Sequence, residues 1–407
     1  MLRRLLRYSE IRYDLTALLA RVTDHRPQPQ IPTATIVRGA VVMALARLGS
    51  LHALEQTRQA AFWRRWVGGA LASADTTGRV FAHLDIETLR LALRQLYHQL
   101  RRNKGVRPTP AGVVALILDG HEAHASFRRC CAGCLVRHVS TTHGERAQYY
   151  HRHVTAVLWH QEGLLLLDLE PQQPGEDEVA TATRLLTRVL THFPRAFSMI
   201  LADGLYTQAP FFHLALRHGK EVVTVLKDER RDLWQDADGL FRHQPPQRQQ
   251  VGTTQSTWWD LEDFTSWPAM GRPVRVIRSV ETTTVRRQRT QQWEAVTTQW
   301  MWVTTAPQAR LSTAALVALG HGRWRIENQA LNELVTYWHA DHVYKHHPVA
   351  LVAFWLLTML AYNLFHTFVE RNLKAAHLQA YSLLHWARVL MSALYQPVEP
   401  LVEPVPG

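Results

Sequence analysis

Two unbroken apolar runs that each end in Asp-Gly constrain the fold of this chain more than any other feature. VVALILDG covers residues 113–120, and FSMILADG covers residues 197–204. Such runs are typical of strands buried on both faces of a sheet in an α/β protein. Ligands of open α/β sheets bind at the carboxyl ends of strands, so we expect Asp119 and Asp203 to face one site. The alternative for each aspartate is that Asp-Gly only begins a turn.

The segments around these two runs predict a mixed sheet covered by helices. YYHRHVTAVLWH and LLLLDLEP, separated by the polar turn QEG, indicate a hairpin, and DEVATATRLLTRVLTHFP is an amphipathic helix. A helix near PFFHLALRHG and a strand at EVVTVLK complete the order β-β-β-α-β-α-β. Residues 228–310 are rich in Gln, Arg, Thr and Trp, and the alternating segments RPVRVIRSVETTTV and WEAVTTQWMWVTT predict a β-rich insertion.

The positive charge of the chain is concentrated in its first 110 residues, which are expected to be helical. They contain 18 Lys and Arg against 7 Asp and Glu, within a formal net charge of +12 for the whole chain. A basic module of this kind indicates a polyanionic partner, and an anionic membrane surface is the competing interpretation. Solvated helix faces are the alternative for the arginines themselves. The basic residues expected to contact the partner are Arg64, Arg65, Arg94, Arg101, Arg102 and Lys104.

The longest apolar run, residues 349–369, is long enough to span a bilayer. Tyr362, Asn363 and His366 interrupt it, which favours a buried core helix over a membrane helix. All three cysteines lie within CCAGC, which argues against a secreted disulfide framework and indicates a reducing cytoplasm.

A third carboxylate stands in the segment GHGRWRIENQALNEL, which has the pattern of an amphipathic helix. Glu327 follows Arg323 by four residues, so both lie on one helix face. Together with the two aspartates it supplies three hard oxygen ligands, which suit Mg²⁺ or Mn²⁺. Two such ions about 3.5–4 Å apart can activate a water or a 3′-hydroxyl for attack on a phosphodiester. Arg323 can orient the glutamate or contact a phosphate, and a surface ion pair is the alternative.

ILDGHE, MILADGLYTQAPF and GRWRIEN, in this order and with a strand-rich insertion between the second and third, resemble the DDE transposases of bacterial insertion sequences. The resemblance covers roughly residues 110–375. It implies an α/β fold with an RNase H-like mixed sheet flanked by helices, a β-rich insertion and an N-terminal helical domain. It also implies that Asp119, Asp203 and Glu327, supported by Arg323, bind two divalent ions, cut DNA at transposon ends and join the 3′-hydroxyl to target DNA.

The resemblance also implies the partners and the domain organisation. Double-stranded DNA, as terminal inverted repeats and target, is the expected partner of a homodimer, without a membrane, in a prokaryotic cytoplasm at the nucleoid. The expected parts are a basic helical DNA-binding region (1–110), the first part of the catalytic domain (111–227), the insertion (228–310), the helical completion of the catalytic domain (311–395) and a tail (396–407).

The chain departs from the signature Tyr-x2-Arg-x3-Glu-x6-Lys of the subgroup that it resembles. Gly320 stands at the tyrosine position and Leu334 at the lysine position. Phosphate contacts there would have to come from Lys345 or a nearby histidine. In some members an insertion-domain tryptophan stacks on a flipped base, which makes Trp258 and Trp259 DNA-binding candidates, with Trp267 near them. Core packing is the alternative for these tryptophans.

Two rival functions follow from the same residues. A non-catalytic DNA-binding protein derived from a transposase would keep the fold and the basic module, and the missing tyrosine and lysine favour it. A nuclease would cut without joining. The presence of all three acids favours the transposase.

The cysteine cluster and a histidine run have spacings found in metal sites. Cys131 and Cys134 form Cys-x2-Cys, one half of a structural Zn²⁺ site, with the other ligands expected from histidines such as the neighbouring His138 and His143 or from elsewhere. Free reduced thiols are the alternative. The histidine run is expected instead to cap a helix and contact the DNA backbone; its members are His339, His342, His346 and His347.

Overall fold

The computed structural model describes residues 1–142 and 144–395. His143 and the predicted tail, residues 396–407, lie outside the described residues. Within the described residues, ten strands form one mixed sheet. The strands are β1 (Ala115–Ser126), β2 (Leu135–Thr141), β3 (Gly144–His160), β4 (Gly163–Pro171), β5 (Met199–Ala202), β6 (Glu221–Val225), β7 (Gln247–Val251), β8 (Thr254–Phe264), β9 (Val274–Arg286) and β10 (Trp293–Thr304).

The central part of the sheet has the RNase H-like arrangement. Strand β1 pairs antiparallel with β3 and parallel with β5, while β4 pairs antiparallel with β3 and β6 pairs parallel with β5. Helices α8 (Glu178–His192) and α9 (Ala209–Arg217) make the crossovers. The predicted order of strands and helices is therefore confirmed. Strand β2 was not predicted, because its sequence LVRHVST has only partial alternation and its pairing with the first half of β3 is exposed.

Seven helices precede the sheet, and the long last one is joined to it by ion pairs. They are α1 (Leu2–Tyr13), α2 (Leu15–Ala20), α3 (Thr33–Leu45), α4 (Leu51–Gln56), α5 (Ala61–Trp66), α6 (Ala74–Phe81) and α7 (Ile86–Arg102). The Asp85 side chain caps α7 by accepting a hydrogen bond from the backbone N–H of Glu87. Arg90 of α7 donates from Nε to Oδ1 of the buried Asp168 of β4, at 3.1 Å. The N-terminal helices therefore pack directly on the sheet.

The apolar run forms helix α13 (Pro348–Asn372), which packs against α3, α6, α7 and β4. It is the one helix of the described residues that is long and apolar enough to cross a membrane, and 78% of its most apolar window is buried inside the protein. Asn363, which interrupts the run, accepts a 2.9 Å hydrogen bond from the Leu166 N–H and donates a 2.8 Å bond to the Leu166 carbonyl. This side chain thereby satisfies backbone groups of β4 that face no further strand.

The β-rich insertion extends the main sheet. Strand β10 pairs antiparallel with β6, and β9, β8 and β7 follow outward in that order. A buried ion pair between Arg275 and Asp260, with Nε to Oδ1 at 2.8 Å, joins β9 to β8, and Thr313 donates to the same carboxylate. This network anchors the start of the helix that begins at Thr313. The remaining helices are α10 (Asp232–Phe241), α11 (Thr313–Gly322), α12 (Asn332–Trp338), α14 (Ala375–Ala380) and α15 (Leu383–Tyr395).

Candidate active site

Asp119 lies on β1, and Asp203 directly follows β5, the neighbouring parallel strand. Ile117 of β1 pairs with Leu201 of β5, and each aspartate comes two residues after its paired residue. Successive residues alternate faces, so both side chains emerge on the same face of the sheet. Asp119 is buried and Asp203 is half-buried. That the two aspartates serve one site stays a prediction.

The glycine after each aspartate allows close packing. A Cβ at Gly120 would lie 2.4 Å from Oε2 of Glu178, and a Cβ at Gly204 would lie 2.9 Å from the Val225 carbonyl oxygen. Strand β1 continues past Gly120 to Ser126, so Asp-Gly does not begin a turn there. Asp203 does end its strand and precedes a short 3₁₀ turn, Gly204–Tyr206. The turn alternative thus applies to only one of the two aspartates.

Glu327 is brought close to Asp119 by a helical segment with π-type geometry. This segment, Ile326–Leu331, lies between α11 and α12 and contacts β1. Nη1 of Arg323 lies 3.0 Å from Oε1 of Glu327 and 3.4 Å from Oδ2 of Asp119. One guanidinium nitrogen therefore joins two of the three predicted carboxylates. π-type turns inside helices occur frequently at functional sites.

Two tryptophans explain why glycines surround Arg323. A Cβ at Gly320 would lie 2.5 Å from the Trp302 ring, and a Cβ at Gly322 would lie 2.0 Å from the Trp159 ring. There is no room for the tyrosine of the subgroup signature at position 320. Leu334, at the lysine position, is fully buried. The Trp302 ring thus accounts for the glycine at position 320, and burial accounts for the leucine at position 334.

A lysine that sequence reasoning missed lies at the site. Lys227 follows β6, and its Nζ lies 2.8 Å from Oδ1 of Asp203. The signal was available, because Lys227 stands at the carboxyl end of a buried parallel strand, where the two aspartates had been sought. Lys345, which we considered as a substitute for the absent lysine, instead packs its stem near Gly78 of α6.

The two aspartates differ in proton affinity. Burial raises the pKa of Asp119 to about 7, Arg323 opposes the rise, and the neighbouring Glu327 and Glu178 carboxylates add to it. Burial also acts to raise the pKa of Asp203, but the hydrogen bonds from Lys227 and from the Gly204 N–H outweigh burial, so this pKa is lowered. Carboxylates crowded together in this way are stabilised by a bound cation.

A buried hydrogen-bonded group supports the back of the site. The Tyr206 hydroxyl donates to Oε1 of Glu178 at 2.6 Å, and Arg152 pairs with the other oxygen of that carboxylate. Burial and the adjacent Glu178 raise the pKa of Tyr206, which stays a neutral donor at ordinary pH. Glu178 also fills the space left by Gly120. Strand β1, α8 and the turn after β5 are thereby held together beneath Asp119.

The predicted DNA-contacting residues lie in different environments. Trp258 is buried. Trp259 is half-buried beside Arg278, and the Trp259 Nε1–H donates to the Gln244 carbonyl. Trp293, at the start of β10, is 69% exposed and was not singled out from the sequence. Arg94 hydrogen-bonds His192. Of the basic residues expected to contact DNA, those that lie exposed are Arg64, Arg65, Arg101, Arg102 and Lys104.

Cys131 and Cys134 lie beside His151 of β3 and His346, which precedes α13. His138 is exposed on β2. Of the histidine run, His347 occupies the N-cap position of α13, but its side chain makes no capping hydrogen bond. The expectation that this run caps a helix through a side chain is therefore wrong for α13. His346 instead belongs to the cysteine cluster.

Comparison with known families agrees with this arrangement. The family model described as "Transposase DDE domain" matches residues 112–364, which is more than half of the chain and runs from β1 into α13. No curated protein matches the chain. The matched span includes both aspartates, Lys227 and the Arg323–Glu327 helix. The chain therefore belongs to the DDE transposase family.

Proposed function

We propose that this transposase cuts DNA at the ends of an insertion sequence and transfers the freed strand into target DNA, using divalent cations. The observation that carries the proposal is the Arg323 guanidinium, which draws Glu327 to Asp119 on the strand next to Asp203. Asp119, Asp203 and Glu327 come from three segments that are at least 84 residues apart in sequence, so nearness in the chain does not account for their arrangement. Their convergence supports a shared chemical task.

The donor set fits Mg²⁺ or Mn²⁺. Asp119, Asp203 and Glu327 offer only carboxylate oxygens, the ligands that hard cations prefer, and they leave room for water and phosphate oxygens. The raised pKa of Asp119 reflects burial and carboxylate crowding that a bound cation would relieve. Bound there, a pair of ions supplies activation of the attacking hydroxyl and charge stabilisation on the leaving oxygen.

The cationic side chains hold the carboxylates in place. Arg323 is 2% exposed, so its planar fork fixes Asp119 and Glu327 with little freedom. Lys227 is 53% exposed and pairs with Asp203 at the solvent side. It can exchange that pair for a phosphate of bound DNA. In this proposal, Arg323 positions the carboxylate ligands, whereas Lys227 contacts the DNA substrate.

Double-stranded DNA is the proposed partner. The exposed arginines of α5 and of the end of α7 would contact the phosphates of the terminal inverted repeats. Bringing two ends together requires at least two copies of the chain, which favours a homodimer in the DNA complex. Trp293 is a more accessible base-stacking candidate than Trp258 because its ring is largely exposed. The site of action would be the cytoplasm, at the nucleoid.

One assay separates this function from its two rivals. The substrates are a duplex carrying the inverted repeat that flanks the gene, the same duplex pre-cut at its 3′ end, and a supercoiled target, each with Mg²⁺. Cutting together with joined product supports the transposase. Cutting without joining supports a nuclease, and a gel shift without either product supports a non-catalytic binding protein.

A further inference from the structure

Four side chains from three distant segments meet beside the β2–β3 hairpin. Cys131 and Cys134 come from the connection between β1 and β2, His151 from β3, and His346 from the connection between α12 and α13. The ligand atoms of all four lie within 4.8 Å of one another. His346 is 212 residues from Cys134 in the chain, so local structure does not account for the meeting.

The distances in this cluster match one tetrahedral metal ion. The two sulfurs lie 3.7 Å apart, and Nε2 of His151 lies 3.4 Å from Sγ of Cys131 and 3.3 Å from Sγ of Cys134. Nε2 of His346 lies 3.6 Å from Sγ of Cys134. Tetrahedral zinc with its usual bond lengths places sulfurs about 3.8 Å apart and a sulfur and a nitrogen about 3.6 Å apart.

The backbone around the two cysteines is shaped for thiolates. The Cys134 N–H donates to the Cys131 carbonyl at 3.0 Å, which closes a tight turn, and the Cys131 N–H donates to Sγ of Cys134 at 3.2 Å. A Cβ at Gly133 would lie 3.3 Å from Pro348, the first residue of α13. The turn is thus seated directly against the start of the long core helix.

We infer that Cys131, Cys134, His151 and His346 form a structural Zn²⁺ site that fastens the β2–β3 hairpin to the start of α13. Thiolate and imidazole ligands select zinc over Mg²⁺ or Mn²⁺, and two thiolates balance the charge of one Zn²⁺. Four protein ligands leave no open position, which indicates a structural role. The donor set is separate from the carboxylates, so the inference does not depend on the proposed function.

The site would also stabilise the region that carries Glu327. His346 follows α12, which continues directly from the π-type segment, and His121 of β1 contacts Asp341 of the same connection at 2.9 Å. Zinc would therefore join the end of the Glu327 helix to the hairpin beside β1. Loss of the ion is expected to loosen this connection.

Elemental analysis of the purified full-length protein tests the inference. We expect about one zinc per chain in the wild type, with the metal lost in Cys134→Ser and His346→Ala. Cys130→Ser is the matched control, because Cys130 is exposed and lies outside the cluster, and it should keep its zinc. Asp119→Asn should keep it as well. The inference would be overturned if wild-type protein contained no zinc after refolding with Zn²⁺. It would also be overturned if Cys130→Ser lost as much zinc as Cys134→Ser.

Two further measurements keep the inference testable if ligand variants do not fold. His346→Cys preserves a zinc-binding set of three cysteines and one histidine, so it should retain zinc where His346→Ala does not. In the native wild type, titration with a thiol-specific mercurial should release about one zinc per chain as the cysteines react. A disulfide between Cys131 and Cys134 in native protein, with no zinc released, would contradict the site.

Discussion

Arg323 and Glu327 are paired at 3.0 Å, yet the arginine side chain is 2% exposed and the glutamate side chain is 39% exposed. In a surface ion pair between residues four apart on a helix, both charged groups would lie in water, where the pair contributes little to the stability of the fold. Here the buried guanidinium also reaches Asp119. The pair therefore belongs to the carboxylate cluster and not to the outer face of the helix.

Replacing Arg323 should impair cleavage while DNA binding persists. Arg323→Gln removes charge-assisted contacts worth about 3 kcal/mol, so single-turnover cleavage of the terminal-repeat duplex should fall about 100-fold. Arg325→Gln is the matched control, since Arg325 bonds Gln329 and lies over Trp159. Cleavage that falls equally in both variants would mean that Arg323 has no special role.

The affinity for Mg²⁺ should depend on the proton of Asp119. The pKa of Asp119 is raised to about 7, so a proton competes with the cation below that pH, and apparent Mg²⁺ affinity should rise with pH and level off above about 7. In metal-free protein, the stability that Asp119 contributes should be lost as pH rises from about 4 to about 7, because the folded state holds this proton more tightly than the unfolded chain. Thermal unfolding across this range checks the sign. The contribution of Asp119 is the difference in pH dependence between wild type and Asp119→Asn, because groups such as Glu370 and His160 titrate in both proteins.

Lys345 was the lysine expected to replace the absent signature lysine, but Lys227 is the lysine that pairs with a carboxylate of the site. Lys227→Ala removes the 2.8 Å pair with Asp203 and should lower cleavage about 10-fold, the effect of about 1.4 kcal/mol. Lys345→Ala, beside Gly78, should leave cleavage unchanged. The measurement compares the cleavage rates of the two variants at saturating Mg²⁺. A larger loss in Lys345→Ala would reverse the assignment.

A methyl group at position 320 should destabilise the fold. In Gly320→Ala the new Cβ would approach the Trp302 ring to 2.5 Å, an overpacking expected to cost about 1–3 kcal/mol in the free energy of unfolding. Gly239→Ala in α10 is the control, since nothing lies within 4 Å of its Cβ position, and it should be neutral or stabilising. Urea unfolding monitored by tryptophan fluorescence makes the measurement. Equal stability of the two variants would contradict the packing account.

Local sequence predicts the central strands because their apolar runs and polar ends are self-contained signals. Asp119 and Asp203 could be named for that reason, whereas Glu327 was named from its helical segment GRWRIEN. The burial of Arg323 could not be predicted, because its helix is seated against Trp302 and Trp159 of distant strands through Gly320 and Gly322. Strand β2 and the continuation of the insertion into the main sheet depend on pairings between distant segments, which leave little local pattern.

The zinc ligands illustrate the same limit. Cys131 and Cys134 can be recognised as metal ligands from their Cys-x2-Cys spacing. His151 lies within a strand and His346 within a run of histidines, so no local pattern marks either histidine as a ligand. Only the fold brings them to the cysteines. Nearness in sequence favoured His138, which the sheet turns to solvent.

The most direct test of the account is single-turnover cleavage by three variants, each changing one carboxylate. Asp119→Asn, Asp203→Asn and Glu327→Gln should each lower the rate about 1,000-fold, since each removes several kcal/mol of transition-state stabilisation, while gel shifts stay at wild-type affinity. A double variant should be little worse than either single one, because residues that hold one set of ions act as a unit. Near wild-type cleavage by any one of the three would contradict the shared metal site.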